Sequence, residues 1–218
     1  MDDFLPSLSP DEARVLGSLI EKQITTPDYY PLTLNALTNA CNQLTNRDPV
    51  VSFDETTVVR TLEHLRGKRL AMLFSGAESR VAKYKHTLAD AILLTPAEIA
   101  LLCVLLLRGP QTIGELRTRC ERMFAFDALT DVEAALTVLA TRQPQPLVAK
   151  LPRQPGTKES RYAHLFSGPI ESPTPMPATG RSEPSPVIAE SHSDRIMKLE
   201  QEVAELRQQF AEFRKQFE

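Results

Sequence analysis

The chain has no tryptophan, only 4 tyrosines, 8 glycines and 3 cysteines among its 218 residues. So few glycines form no glycine-rich loop of the kind that cradles a phosphate. Cys41, Cys103 and Cys120 are too widely spaced for a CxxC zinc pair, and they offer no disulfide framework. No HExxH or nucleophile-elbow pattern occurs, and His64, His86, His164 and His192 have no Cys or carboxylate partners at metal spacing. These absences argue against an enzyme, a cofactor and a metal. The longest apolar run, Ile99 to Leu107, is far shorter than the roughly 20 residues that span a bilayer. Met1-Asp2-Asp3-Phe4 lacks the basic-then-apolar start of an export signal. A cytoplasmic protein with no membrane partner is expected. Neither sign of charge dominates: 25 Lys and Arg stand against 28 Asp and Glu, a net −3. Residues 1–90 carry 10 basic against 12 acidic side chains, 91–166 carry 9 against 7, and 167–218 carry 6 against 9. With no strongly basic segment, any nucleic-acid reading must rest on local placement of charge.

What is present is a pattern stated twice. Leu8-Ser9-Pro10-Asp11-Glu12-Ala13 returns as Leu94-Thr95-Pro96-Ala97-Glu98-Ile99, each a hydroxyl residue, a Pro and then a Glu three positions after the hydroxyl. This is a capping box with Pro at the first helical position, so each copy starts with a helix. Leu34-x-x-Leu37-x-x-x-Cys41 is matched by Ile113-x-x-Leu116-x-x-x-Cys120, and Val58-x-x-x-Leu62-x-x-Leu65 by Val132-x-x-x-Leu136-x-x-Leu139. Lys83-Tyr84-Lys85-His86 echoes Arg161-Tyr162-Ala163-His164.

The first copy predicts helices from about Pro10 to Lys22, from Thr33, and from a capping box at Ser52-x-x-Glu55, then strands at Leu70 to Phe74 and Arg80 to Lys85. The second predicts a nearly all-apolar helix ending at Arg108-Gly109-Pro110, which suits a packing element. A helix capped by Thr112-x-x-Glu115, one from about Thr130 to Thr141, and strands at Leu147 to Leu151 and Ser160 to Leu165 follow. Three helices and a hairpin is the winged-helix order. The expected fold is mainly α with small β-hairpins, an α+β chain of two tandem winged-helix domains, 8–90 and 91–168. Cys41 and Cys120 read as small buried hydrophobes. His86 and His164 read as polar strand ends, and Lys22, Arg108 and Arg117 to Arg122 as solvated helix faces.

After Phe166 the composition turns to Pro, Ser and Thr, which cannot bury enough apolar surface to offset ordering entropy, so 169–192 reads as a disordered linker. Residues 193–218 then carry Ile196, Leu199, Val203, Leu206, Phe210, Phe213 and Phe217 at alternating spacings of three and four, a short coiled coil. Arg195 and Glu202 would face Glu200 and Arg207 of a parallel partner with attraction at both pairs. A parallel homodimer is expected, with a single amphipathic helix docked on the body as the alternative.

A winged helix meets DNA with the exposed face of its third helix in the major groove and with its wing on phosphates. In the first copy that face offers Thr57, Arg60 and His64, the helix end offers Arg66, Lys68 and Arg69, and the wing offers Arg80, Lys83 and Lys85. The second copy's face, Asp131, Ala134, Val138 and Thr141, is a poor reader of base edges, although its wing holds Arg153, Lys158 and Arg161.

Three stretches carry a resemblance: ARVLGSLIEKQITTPDYYPLTLNALTNACNQLTNRDPV within Glu12 to Val50, LLLRGPQTIGELRTRC at Leu105 to Cys120, and ESRYAHLFSG at Glu159 to Gly168. With them the chain resembles the YceH-type bacterial family of uncharacterised tandem winged-helix proteins over 8–168. The resemblance implies a two-winged-helix fold in a bacterial cytoplasm and carries no activity with it. The segment from 169 onward lies outside it. Its longest part falls in loops, which makes Tyr29, Tyr30, Asn42, Asn46 and Arg47 candidates for a partner surface, with Asn42 and Asn46 equally able to satisfy turn backbone. Two functions remain open: a regulatory or nucleoid-associated protein that binds double-stranded DNA, and a winged-helix module that binds protein without DNA. The Arg60/His64 face and the basic wings tip the balance to DNA.

Overall fold

Hydroxyl side chains and glutamates set most of the helix starts. In the computed structural model, which describes residues 6–74, 81–153 and 159–168, α1 (Pro10–Thr25) begins at a reciprocal box: Ser9 Oγ accepts from Glu12 N–H at 3.2 Å and Glu12 Oε2 accepts from Ser9 N–H at 2.7 Å. The same box opens α5 (Pro96–Arg108) at Thr95 and Glu98, and α6 (Ile113–Cys120) at Thr112 and Glu115. Thr33 caps α2 (Leu34–Cys41). The expected box at Ser52 does not form. Asp54 caps α3 (Glu55–Gly67) instead, its Oδ1 accepting from Thr57 N–H at 2.7 Å. Asp131 Oδ2 accepts from Ala128 N–H at the start of α7 (Leu129–Thr141).

The sheets are small and antiparallel. β1 (Leu32–Thr33), β2 (Ala71–Phe74) and β3 (Lys83–His86) lie in the order β1-β3-β2, with Leu73 and Leu32 both opposite Tyr84. A short α4 (Leu88–Ala91) leads on to α5. β4 (Val148–Lys150) and β5 (Tyr162–His164) form a two-stranded ladder, and a single bridge from Gln111 to Tyr162 stands where β1 stands in the first half. The two-residue β1 carries no periodic signal and is absent from the sequence reading. The described residues are mixed α and β and about half helical.

All the described residues fall in one compact unit, and one apolar core runs through both halves. Its middle is α1 against α5. Leu101, Leu102, Cys103, Val104, Leu105, Leu106 and Leu107 are all buried, each fully buried Leu worth about 1.5–3 kcal/mol. The two helices meet at Gly17, where an added Cβ would lie 2.9 Å from the Leu107 side chain, and Cys103 Sγ donates to Gly17 O at 3.4 Å. α5 stops at Gly109, whose φ of 66° suits a residue without Cβ and whose N–H returns to Leu105 O. Among the described residues no helix is long and apolar enough to cross a membrane. Arg80, Lys158, the 169–192 segment and the heptad residues Ile196, Leu199, Val203, Leu206, Phe210, Phe213 and Phe217 lie outside the described residues.

Candidate functional site

The inner face of α3 fixes what its outer face shows. Val58, Leu62 and Leu65 are buried, and Thr61 turns inward with its hydroxyl on Thr57 O. By helical register Arg60 and His64 then project outward, both exposed, with Glu63 exposed beside them. Thr57 is half-buried and belongs to the cap: its hydroxyl and N–H both bond Asp54, which holds that carboxyl below its ordinary value, and the charge of Arg60 adds to this. At the helix end Lys68 Nζ is taken up by Glu12 at 2.6 Å and by Ser7 O at 2.7 Å. Arg66 and Arg69 stay exposed. Arg69 has a φ of 58°, and its carbonyl accepts from the Thr87 hydroxyl as the chain turns into β2.

On β3 the alternation of side chains places Lys83 and Lys85 on one face and Tyr84 and His86 on the other. Lys83 pairs across the ladder with Phe74 and Lys85 with Met72. The first half thus assembles Arg60, His64, Arg66 and Arg69 on one helix and its exit, and Lys83 and Lys85 on a neighbouring hairpin.

The second half differs. α7 exposes Leu129, Asp131, Glu133, Ala134, Val138 and Thr141, acidic and apolar together. Arg153 is exposed. Arg161, expected on a wing, is partly exposed but tied down as a staple: its guanidinium donates to Glu115 at 2.8 and 3.3 Å and to Pro110 O at 2.8 Å, linking β5 to the start of α6. Arg117 is exposed, as expected of a solvated helix face, and also donates to Phe126 O and Asp127 O.

The loop candidates need correction. Arg47 is 5% exposed, so it is no surface group. It forms a two-point ion pair with Glu21 of α1, at 2.6 and 3.3 Å, and donates to Ala40 O, a geometry that suits a buried guanidinium. Tyr30 is half-buried with its hydroxyl accepting from His86 N–H at 2.8 Å. Asn42 spans the connector, bonding both the N–H and the carbonyl of Phe53 at 2.8 Å, so it satisfies turn backbone. Asn46, exposed at a φ of 60°, accepts from Arg108 at 2.6 Å. Of the five, Tyr29 alone is a large open side chain, 78% exposed.

Both histidines end their strands as expected, His86 closing β3 and His164 closing β5, but burial sets them apart from solvent-facing polar ends. His86 is buried, with Nε2 against Gln23 Oε1 and Nδ1 accepting from Leu88 N–H, and burial pulls its pKa down to about 4. Burial does the same to His164, whose Nδ1 has no hydrogen-bond partner among the described residues. The thiols behave as expected of buried hydrophobes: burial pushes Cys41 up to about 11 and Cys120 up to about 12. Sequence reasoning passed over Arg14 and Glu21, charged residues seven apart on α1. Arg14 reaches Cys41 O at 3.1 Å and Pro49 O, so both hold the connector that leads into α3. Their spacing among buried Leu and Ile was the available signal.

Residues 8–157 match the family described as "Protein of unknown function, DUF480". The chain is 57% identical over 203 residues to a "UPF0502 protein" of Opitutus terrae, covering 93% of this chain and 84% of that one. It is 56% identical over 201 residues to a "UPF0502 protein" of Geotalea uraniireducens, covering 90% and 89%. A match of 203 residues is longer than the whole of 1–168. The likeness therefore continues past Gly168, and the expectation that it ends there is corrected. The chain belongs to the DUF480 family of UPF0502 proteins, in agreement with the resemblance drawn from its motifs.

Proposed function

We propose that this DUF480 protein is a non-enzymatic, cytoplasmic DNA-binding protein, regulatory or nucleoid-associated, with winged-helix domains at 8–90 and 91–168. The first domain reads double-stranded DNA through α3 and uses its hairpin on phosphates. The second is chiefly a packing module. The observation that carries this reading is the exposed Arg60/His64 face of α3, continued by Arg66 and Arg69, with half-buried Lys83 and Lys85 on the hairpin that packs against α3. A guanidinium on a helix in the major groove can pair with guanine, and flanking lysines and arginines hold the backbone. Residues 193–218 bring two copies together in parallel, so that two weak modules gain avidity.

The test is binding of the purified protein to mixed genomic DNA across a salt series. Affinity should fall steeply with salt. Lys83→Ala should lower the salt slope by about 1, and Arg60→Ala should cost about 1–3 kcal/mol and relax base preference. A chain ending at Gly168 should sediment as a monomer and bind more weakly than the dimeric full chain. No binding at low salt by either chain would remove the reading.

One observation favours a second function, a winged-helix module that docks protein. The edge strand β2 leaves Met72 and Phe74 at 39% and 40% exposure, an apolar strip on the face of Lys85 and Lys83. That outcome would show as DNA-independent association lost in Phe74→Asp.

A further inference from the structure

A cleft of about 290 Å³ lies where the end of α1, the end of α5 and the last turn of α6 converge. Its inner wall is apolar: Val104 and Leu107 are 3% and 2% exposed, and Met123 is half-buried beside them. Its rim is cationic, with Arg108, Arg119 and Arg122. Two carboxylates also line it, and they do not cancel these charges. Glu21 is already bonded by Arg47 at 2.6 Å and lies 3.6 Å from Lys22. Glu121 sits on the exposed side. Arg119 is held only loosely, 3.8 Å from a Glu115 carboxylate that Arg161 already engages at 2.8 Å, and Arg122 makes no ion pair among the described residues. Arg108 is half-buried and donates to the neutral amide oxygen of Asn46. Burial and then the nearby charge of Arg119 hold its guanidinium below the ordinary value. Guanidinium groups crowded against an apolar wall gain more from an anion than the same groups in water.

We propose that this cleft binds a small amphipathic anion of the aromatic carboxylate class, its ring on Val104, Leu107 and Met123 and its carboxylate on Arg119 and Arg122. A bare inorganic anion would leave the apolar wall wet, and a neutral aromatic would leave the guanidinium groups unpaired. The volume matches the small end of ligand pockets. Because the cleft is built from α1, α5 and α6 together, an occupant bridges the two halves of the core. The inference does not depend on DNA binding.

The test is calorimetric titration of the full chain with 2-naphthoate, with the neutral isostere 2-naphthamide in parallel. Naphthoate should saturate one site with a Kd of about 1 mM or tighter, as its size allows. Naphthamide should bind at least about 10-fold more weakly, since it cannot form the charge-assisted pair. The double variant Arg119→Gln/Arg122→Gln, checked for an unchanged circular dichroism spectrum, should also lose about 10-fold or more, while Lys150→Gln, outside the cleft, should bind as the parent does. Failure to saturate by about 10 mM, equal binding of the amide, indifference to the double variant, or equal loss in Lys150→Gln would each overturn the proposal.

Discussion

α1 and α5 lie against each other in the core, yet they are made of opposite chemistry. α5 buries an unbroken apolar series from Leu101 to Leu107. α1 buries Glu12, Arg14 and Glu21 among its Leu and Ile, and every one of them reaches outward: Glu12 to Lys68 after α3, Arg14 to Cys41 O and Pro49 O, Glu21 to Arg47. Apolar burial is strong but non-directional. It holds α5 in the middle without specifying what lies beside it. A buried ion pair contributes little net stability but tolerates one arrangement only. The polar set on α1 therefore fixes the path of the 42–54 connector, and with it the angle at which α3 leaves its cap. The central helix that looks less stable is the one that aims the candidate DNA face.

The largest effect should come from breaking that set. Arg47→Ala strands the Glu21 carboxylate in the core, with an expected loss of about 3–5 kcal/mol in urea unfolding. Amide chemical shifts should move across the connector and α3. Leu102→Ala, with a loss of about 2–5 kcal/mol, should disturb both halves alike. If Arg47→Ala left the α3 signals in place, the contrast between directional and non-directional burial would fail.

The next effect is a pH dependence shared by the two hairpins. The imidazoles of His86 and His164 take up a proton below about 6.5 when unfolded but only near 4 when folded. Between those values the unfolded chain binds more protons, so stability falls as pH drops from about 6.5 to about 4 and is flat above. Each histidine accounts for about 3 kcal/mol at most. Burial opposes ionisation of Glu12 and Glu115, but the bonds from Lys68 and Ser9 N–H to Glu12, and from Thr112 N–H with the charge of Arg161 to Glu115, outweigh it and hold both carboxyls below the ordinary value, so their contribution is lost only at lower pH. The upper part of the window thus reports the histidines first. His86→Gln and His164→Gln should each remove about half the slope; unequal losses would show that the Gln23 contact, present only in the first half, matters.

The smallest effect is at the crossing of the two helices. Gly17→Ala places a methyl 2.9 Å from the Leu107 side chain. Overpacking of this kind costs about 1–3 kcal/mol. A neutral thermal melt would mean that α5 yields easily, and that α1 alone holds the crossing in register.

What the sequence discloses is local. Ser9/Glu12, Thr95/Glu98 and Thr112/Glu115 declare their helix starts because both partners of each box lie within four residues. Apolar spacing exposed the inner faces of α3 and α7 for the same reason. Ser52/Glu55 satisfied the pattern and failed, because Asp54 offers a carboxylate one residue before the helix while Phe53 is tied to Asn42. Arg47, Tyr30 and Arg161 read as surface groups because their partners, Glu21, His86 and Glu115, lie 26, 56 and 46 residues away. A long polar side chain in a loop looks the same whether it faces water or a distant carboxylate. The Arg60/His64 face was legible, since exposure on a helix follows from what its other side buries.

The amide of Leu8 donates to Phe166 O at 2.6 Å, beside Ser7, whose carbonyl is held by Lys68. The described residues from Leu8 to Phe166 thus close a loop on themselves. A covalent tie between Ser7 and Ser167 would add a constraint that the fold already satisfies, so it should leave every contact between α1 and α5 in place.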